Sequence, residues 1–406
     1  MNRVLVFLSL IFLYFSTFGQ NKKKLNFDES KVRKFVLPNP LISLDGNRIK
    51  TPKEWFEKRR PEIVKLISDE MYGHVPNLPI SMTSKVSSIH SEENITYKQV
   101  VLKLSNGNDS IEVDVLICLP SNIKGPLPVI LCMNFMGNHT ITKNPQIKLQ
   151  NFQGGKNGSR GQLADRWPLE MITSKGYAVA TLCKQSISLE FKEAFESGVF
   201  KLFPKRSDTD WGTMRAWAWG LSRLADYLET DKSIDSKRMA VTGTSRLGGT
   251  ALLAGAMDQR FKVVMPNVSG KNGCGLLRRN FGQQVDNIIT IFPHWFCNNF
   301  QKYYENIDAL PTDQHMLMSL IAPRPLYVAR AQDDLKADNY GAFLSMKNAG
   351  PVYKLLGVKG MGVEEMPPVK QPLSGTLGFH IRTGGHGIED YDWQCFLTFL
   401  NRHLKK

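Results

Sequence analysis

Residues 239–253 read Met239-Ala-Val-Thr-Gly-Thr-Ser-Arg-Leu-Gly-Gly-Thr-Ala-Leu-Leu253, and this stretch decides the fold. A short apolar run at its start is typical of a buried strand, and the Ala- and Leu-rich end is typical of a helix. Ser245 stands between them, flanked by Gly243 and Gly248, as in a nucleophile elbow with one extra residue, G-x-S-x-x-G. The glycines make room for a sharp, strained turn. Ser245 is therefore the candidate nucleophile, and the N–H of Arg246 would lie at a helix start, where negative charge is favoured. The alternative is an ordinary strand–turn–helix in which Ser245 only caps the helix.

The pattern on either side of the elbow indicates the fold class. Between residues 80 and 120, apolar and polar residues alternate, which is typical of antiparallel strands with one solvated face. From residue 127 onward, continuous apolar runs alternate with helix-like stretches, as expected for parallel strands buried on both faces. These runs cover residues 127–132, 177–182, 239–242, 263–266 and 325–329, and helices are expected from Thr51 and over 213–229. We predict an α/β-hydrolase fold, a doubly wound and mostly parallel sheet with an antiparallel N-terminal extension, in one catalytic domain over residues 21–406.

A serine nucleophile needs a base and an acid that orients the base. In the hydrolase fold these follow the serine in the order acid, then histidine. Asp333 and Asp334 come directly after the last apolar run, where an orienting carboxylate belongs. We favour Asp334 and keep Asp333 as the alternative. Asp338 precedes a helix-like run and is expected to cap that helix.

The candidate base lies near the C-terminus. His386 stands in the Gly-rich loop Gly384-Gly-His-Gly387, which gives an imidazole freedom to reach the serine. A neutral imidazole near pH 7 is suited to take the serine proton and return it. His380 stands in an alternating apolar run and is expected to be structural.

Residues 1–20 have a short positive start, an apolar centre and a small, polar exit. This layout predicts a secretory signal peptide cleaved near Gln20, and a secreted or periplasmic protein. The apolar centre is shorter than the roughly 20 residues that a membrane span needs. An uncleaved N-terminal anchor is the alternative.

Composition sets wider limits. The chain of 406 residues is 42% hydrophobic and 22% charged, which is a globular composition. The net charge of +15 is compatible with acidic partners, but no basic cluster interleaved with aromatics indicates nucleic acid. No Cys or His spacing indicates a metal site. Three of the six cysteines, at 118, 132 and 183, lie in apolar runs and are expected to be buried; a disulfide among Cys274, Cys297 and Cys395 remains open.

The elbow 243–248 resembles the G-C-S-R-x-G signature of the glucuronoyl esterases, a carbohydrate esterase family. Further matching stretches are 134–139, 167–177, 278–279, 294–296, 310–315, 322–325 and the His386 loop, so the resemblance covers most of residues 35–405. It implies hydrolysis of an ester between glucuronic acid on xylan and a lignin-type alcohol.

The resemblance also implies roles for particular residues. Ser245 would attack the uronate carbonyl, and His386 would act first as base and then as acid. The side chain and N–H of Arg246 would stabilise the oxyanion; a surface ion pair at a helix start is the alternative. Trp295 matches a family position that packs on the sugar ring, and its alternative is a core aromatic.

Four positions depart from the family pattern. Val268 stands where many members carry the triad Glu, so the acid must come from the loop of Asp334, as in some bacterial relatives. Gly249 replaces a Lys that contacts sugar hydroxyls, which leaves glucuronate selectivity open. Thr244 replaces a frequent Cys and removes a disulfide. Gln283 matches a Glu of the sugar site and is the second candidate substrate-binding residue.

The sequence thus predicts a serine carboxylic-ester hydrolase that acts on glucuronoxylan, as a monomer, with no metal or cofactor. No nucleic-acid partner and no stable membrane insertion after signal removal are expected. Two alternatives remain open. One is an esterase on acetylated xylan or another sugar ester, and the other is a non-catalytic carbohydrate-binding relative.

Overall fold

The computed structural model describes residues 25–203 and 207–404. The predicted signal peptide, residues 1–20, lies outside the described residues.

A ten-stranded sheet forms the centre of the molecule. Its strands are β1 (Ser81–Glu92), β2 (Ile95–Ser105), β3 (Ser110–Pro120), β4 (Leu127–Asn134), β5 (Ala178–Cys183), β6 (Ile234–Thr244), β7 (Phe261–Asn267), β8 (Leu326–Ala331), β9 (Leu373–Ser374) and β10 (Leu377–Arg382). Their order across the sheet is β1-β2-β3-β5-β4-β6-β7-β8-β10-β9. β1 pairs antiparallel with β2, β2 with β3, and β3 with β5. The strands from β5 to β10 pair parallel, and β9 closes the edge antiparallel.

The predicted strands are confirmed, and their burial explains why. Every residue of β4, β5, β8 and β10 is buried, as expected for parallel strands covered on both faces. The antiparallel β1 is largely exposed, which agrees with the polar alternation of its sequence. The fold is thus the α/β-hydrolase fold with an antiparallel N-terminal extension.

Helices cover both faces of the sheet. They are α1 (Pro52–Glu54), α2 (Arg60–Ile67), α3 (Leu169–Ser174), α4 (Lys184–Ile187), α5 (Thr213–Leu228), α6 (Arg246–Met257), α7 (Val285–Ile291), α8 (Gln314–Ser319), α9 (Asn339–Leu355) and α10 (Asp390–His403). One apolar core cluster contains Val241 of β6 with α5, α6 and α9, and a second contains Ala240 with α3 and α10. Because successive side chains of a strand point to opposite faces, these two clusters lie on opposite sides of the sheet.

The N-terminal helical segment begins where the sequence predicts. Thr51 forms a capping box with Glu54, and Pro52 occupies the first turn. Two π-helical turns, Trp55–Arg59 and Ser68–Tyr72, flank α2 in this segment.

The six cysteines are all buried and unpaired. The disulfide left open among Cys274, Cys297 and Cys395 is therefore not formed. Of the described helices, none is long and apolar enough to cross a membrane.

Candidate active site

Ser245 occupies a strained turn between β6 and α6. Its backbone has φ 60° and ψ −128°, a conformation that only glycine adopts without cost. The flanking glycines are required by packing: a Cβ on Gly243 would lie 2.2 Å from the Leu247 carbonyl oxygen, and one on Gly248 would lie 2.8 Å from that of Asn267. The sequence therefore folds here into the sharp elbow that lifts a serine to the carboxyl edge of the sheet.

Two neighbouring parallel strands deliver the candidate acid and base. Asp334 follows β8 and His386 follows β10, and Nδ1 of His386 lies 2.6 Å from Oδ2 of Asp334. The carboxylate is only 7% exposed, whereas the imidazole is 49% exposed. A buried carboxylate can therefore orient a ring whose other nitrogen, Nε2, is free to face a reactant.

Asp333 and Asp338, the acids close to Asp334 in the sequence, make other contacts. The side chain of Asp333 is exposed, and its backbone N–H donates to the Gly384 carbonyl oxygen at 3.0 Å. Asp338 caps α9 by accepting a hydrogen bond from the N–H of Gly341 at 2.9 Å, as expected. Of the two predicted candidates, the structure brings Asp334 and not Asp333 to His386.

Asn267, the last residue of β7, joins the elbow to the histidine loop. Its carbonyl oxygen accepts from the N–H of Ser245, and its Nδ2 donates to the carbonyl oxygen of Gly387, each at 2.9 Å. Among the described residues, no hydrogen bond joins the Ser245 hydroxyl to His386. Catalytic hydrogen bonds of this kind often tighten only when the substrate is bound.

A buried arginine fixes the backbone on both sides of His386. Nη2 of Arg382 donates to the carbonyl oxygens of Gly385 at 3.2 Å and Gly387 at 3.0 Å. Its Nε donates to Asp392 at 2.8 Å. Arg382 is not among the residues predicted from the sequence, although an arginine close to a glycine-rich loop is the available signal.

His380 belongs to the same network and has no opening to a reactant. It is fully buried and contacts Asp392 through Nε2 at 2.8 Å and the Tyr327 hydroxyl through Nδ1 at 2.9 Å. Burial is the largest single influence and disfavours its charge, but the hydrogen bonds and charges of Asp392 and Cys395 together outweigh burial and raise the pKa of His380. These contacts are those expected of a structural histidine.

Arg246 lies between aromatic rings and a carboxylate. Its guanidinium carbon is 5.0 Å from the centroid of the Trp295 ring and 5.4 Å from that of Phe292. Nη1 of Arg246 donates to Oε1 of Glu190, and the indole Nε1 of Trp295 donates to the same oxygen at 3.2 Å. Arg246 thus forms an ion pair at the helix start, as in its alternative role, but this pair is largely buried beside the elbow and does not lie on the surface.

Glu190 in turn binds Lys184, which follows β5 directly. Nζ of Lys184 lies 2.5 Å from Oε2 of Glu190 and 4.7 Å from the centroid of the Trp217 ring. Burial opposes ionisation of Glu190, but the charges of Lys184 and Arg246 outweigh it and keep its pKa below the usual range. Neither Lys184 nor Glu190 was predicted, because no motif marks them and only the tertiary structure brings them to Arg246.

The two predicted roles of Trp295 are packing on the sugar ring and packing in the core. It is 4% exposed and stacks on Phe292 with ring centroids 4.0 Å apart and planes 6° apart. The ring therefore packs as a core aromatic while it contacts Arg246. Little of its surface is left to contact a sugar, and the sugar-packing role remains a prediction.

Gln283, Val268 and Gly249 are further positions that the family resemblance singles out. Gln283 is half-buried, and its N–H donates to the carbonyl oxygen of Lys336, two residues beyond Asp334. Val268 is fully buried with φ 39°, and its apolar side chain carries no carboxylate. A Cβ on Gly249 would lie 2.5 Å from the Asn272 carbonyl oxygen, so backbone packing excludes a side chain there.

An open depression of about 520 Å³ lies next to His386. Its lining is Asp165, Arg166, His386, Gly387, Ile388, Glu389, Asp390 and Tyr391. Within residues 25–203 and 207–404, no group of three or more His, Cys, Asp or Glu side chains is arranged to hold a metal ion.

Comparison with known proteins gives the family. A family model described as glucuronyl esterase, fungi, matches residues 164–357. Carbohydrate esterase MZ0003, from an unknown prokaryotic organism, is 39% identical over 93% of this chain and 92% of its own length. The 4-O-methyl-glucuronoyl methylesterase of Schizophyllum commune is 29% identical over 80% of this chain and 74% of its own length.

A solved structure agrees. The glucuronoyl esterase from Solibacter usitatus superimposes with a TM-score of 0.88 at 38% identity, and the match covers 92% of this chain and 100% of that one. The chain therefore belongs to the glucuronoyl esterase family and is a carboxylic ester hydrolase.

Proposed function

We propose that this enzyme cleaves esters between 4-O-methyl-glucuronic acid on xylan and lignin-type alcohols, with Ser245, His386, Asp334 and Arg246 as its catalytic residues. One observation carries the assignment of roles. The His386–Asp334 pair is held by Asn267 against the strained elbow that carries Ser245, and Arg246 starts the helix that follows. The family and the activity named for the Schizophyllum commune relative support the substrate class.

The first half of the reaction forms an acyl-enzyme. The Ser245 hydroxyl oxygen attacks the ester carbonyl carbon while Nε2 of His386 takes its proton. Asp334 accepts the hydrogen bond from Nδ1 and stabilises the imidazolium. The carbonyl oxygen becomes an oxyanion, which the N–H and guanidinium of Arg246 stabilise. Collapse of this intermediate breaks the bond to the alcohol oxygen, which receives the proton from His386.

The second half releases the acid. His386 removes a proton from water, the hydroxyl attacks the acyl carbon, and the same donors stabilise the second oxyanion. Collapse breaks the bond to Ser245, whose oxygen regains the proton from His386. The products are a free uronate and an alcohol, and the enzyme returns to its starting state.

The chemistry also assigns the two sides of the cleft. His386 must donate its proton to the leaving oxygen, so the alcohol lies on the His386 side. The depression of about 520 Å³ beside His386 has room for part of a lignin-type alcohol. The sugar would then lie towards Trp295 and Gln283, the two proposed substrate-binding residues.

A second candidate function rests on Gly249. Backbone packing against Asn272 leaves no space for a side chain at position 249, so no lysine can reach sugar hydroxyls from it. Looser recognition of the sugar favours activity on acetylated xylan or another sugar ester by the same catalytic residues.

We further propose that residues 1–20 direct export to the periplasm or medium, and that residues 21–406 form one catalytic domain acting as a monomer. The layout of the N-terminal sequence supports export.

A kinetic panel tests the function. Purified enzyme is assayed on benzyl glucuronate, methyl glucuronate and an acetyl ester, beside Ser245→Ala. We expect kcat/KM to be highest on the glucuronates and Ser245→Ala to be inactive on all three. A preference for the acetyl ester would replace the first candidate by the second. Wild-type turnover by Ser245→Ala would exclude the mechanism.

A covalent probe separates an enzyme from a carbohydrate-binding relative. An alkyl phosphonate should label the wild type once, at Ser245, and should leave Ser245→Ala unlabelled. A failure to label the folded wild type would favour a binding protein.

A further inference from the structure

Lys184, Glu190 and Arg246 form a row of alternating charges that begins at the end of β5 and ends beside the nucleophile elbow. Glu190 accepts from Lys184 with one oxygen and from Arg246 with the other. The side chains of Lys184 and Glu190 are 4% and 13% exposed, so solvent screens their charges weakly. The Trp295 indole occupies the Glu190 oxygen that Arg246 also uses.

The carboxylate of Glu190 beside Arg246 is unfavourable for stabilising an oxyanion. A carboxylate fixed on Arg246 offsets part of the positive charge that should act on a developing oxyanion. Without a counter-charge, the Glu190–Arg246 pair would be neutral as a whole. The ammonium of Lys184 leaves the three groups together with one net positive charge.

We propose that Lys184 and Glu190 are positioning residues for oxyanion stabilisation: Glu190 holds Arg246 and Trp295 in place, and Lys184 neutralises Glu190 so that Arg246 keeps its effective charge. The inference rests on the proposed role of Arg246. It assigns Lys184 an effect on the chemical step without contact to the substrate. It also explains why a lysine is buried against a tryptophan ring, where desolvation lowers its pKa.

The proposal predicts that a double variant lacking both Lys184 and the Glu190 charge is more active than the single variant that lacks Lys184. Lys184→Met should lower kcat roughly 10-fold, because the unneutralised Glu190 then opposes the oxyanion. KM should change less than about 3-fold, because Lys184 contacts neither the bound substrate nor the transition state in this proposal. The double variant Lys184→Met/Glu190→Gln should recover kcat to within about 3-fold of the wild type. Its neutral amide oxygen can still accept from Arg246 and Trp295.

A purely structural role predicts the opposite order, since removing a second member of a buried cluster would not restore activity. Lys184→Arg keeps the charge and should keep kcat within about 3-fold, and it also serves if Lys184→Met does not fold. A matched control pair lies elsewhere: Lys98 binds Asp231 at 2.7 Å with side chains 15% and 3% exposed, and Lys98 also lies over a tyrosine ring. Lys98→Met should lose thermal stability while its kcat stays at the wild-type value.

The experiment measures kcat and KM on benzyl glucuronate for these variants, with thermal unfolding of each. Arg246→Met is assayed alongside, and it should lose about 10²–10³-fold in kcat. If Arg246→Met is impaired while Lys184→Met turns over like the wild type, this inference is overturned and the proposed function stands. A double variant no more active than Lys184→Met also overturns it. If Arg246→Met is fully active, the proposed function itself loses its oxyanion donor.

Discussion

The Nδ2 of Asn267 donates a hydrogen bond to the carbonyl oxygen of Gly387, 2.9 Å away, and so fixes the residue that follows His386 to the strand that supports Ser245. A glycine-rich loop has little stiffness of its own. The position of the imidazole relative to the serine therefore depends on a contact from β7, together with those from Arg382.

Loss of this contact should affect turnover more than binding. We expect Asn267→Ala to lower kcat about 10-fold with KM changed less than about 3-fold, because small displacements of catalytic groups cost rate. Steady-state kinetics on benzyl glucuronate measures both constants. Thr242→Val is the control: it removes a buried hydrogen bond between β6 and β7, from Thr242 to the Met265 carbonyl oxygen, without contact to the histidine loop. An equal loss of kcat in the control would show that general softening of the sheet explains the result.

The two neighbouring aspartates should differ strongly. Asp334→Asn should reduce kcat by about 10³–10⁴-fold, because an amide favours the wrong tautomer of His386 and does not stabilise its charge. Asp333→Asn should retain wild-type kcat, since the Asp333 side chain is exposed and only its backbone contacts the loop. The measurement is single-turnover acylation of both variants. A large loss in Asp333→Asn with an active Asp334→Asn would reverse the assignment of the acid.

Strain at the elbow predicts a trade between activity and stability. The φ of 60° at Ser245 costs about 1–3 kcal/mol for a residue with a Cβ, and glycine removes that cost. Both Ser245→Gly and Ser245→Ala should be inactive. We expect Ser245→Gly to exceed Ser245→Ala in free energy of unfolding by about 1 kcal/mol, after the greater chain entropy of glycine is included. Urea denaturation of the two variants measures this difference, and an alanine variant of greater stability would refute strain at this residue.

Charge on the alcohol should influence the rate. Asp165, Glu389 and Asp390 line the depression beside His386, with Arg166 as the cationic neighbour. An ester of 4-carboxybenzyl alcohol should therefore have a kcat/KM about 3-fold or more below that of the benzyl ester at low salt. The difference should shrink as salt is added, because these charges are exposed.

Asp390→Asn provides the matched variant for this prediction. It removes one carboxylate from the rim and should reduce the ratio of the two rates. An unchanged ratio, or a ratio insensitive to salt, would place the alcohol away from this depression.

The contact between Arg382 and the histidine loop gives a further test. Arg382→Lys keeps the charge but loses the planar array of donors that contacts Gly385, Gly387 and Asp392. We expect kcat to fall about 10-fold and the melting temperature to fall by several degrees, since Asp392 keeps fewer partners. A variant that loses stability but keeps full kcat would show that Arg382 supports the fold without positioning His386.

The local sequence alone determined the elbow, the buried parallel strands and the starts of the main helices. Each of these depends on neighbouring residues: apolar runs bury a strand, Thr51 and Pro52 start a helix, and two glycines permit a tight turn at Ser245. The order of serine, acid and histidine along the chain then restricted the candidates to a few residues.

Only the tertiary structure decided between residues that the sequence makes equivalent. Asp333 and Asp334 are neighbours after the same strand. Which of them orients the base depends on where the loop of His386, more than fifty residues away, meets them, and Nδ1 of His386 lies 2.6 Å from Oδ2 of Asp334. The contacts of Glu190 and Lys184 with Arg246, and the exclusion of a side chain at Gly249, likewise depend on packing between distant segments. The physical reason is range: turns and helix caps arise from local backbone geometry, whereas charge pairing and steric exclusion arise from atoms that only folding brings together.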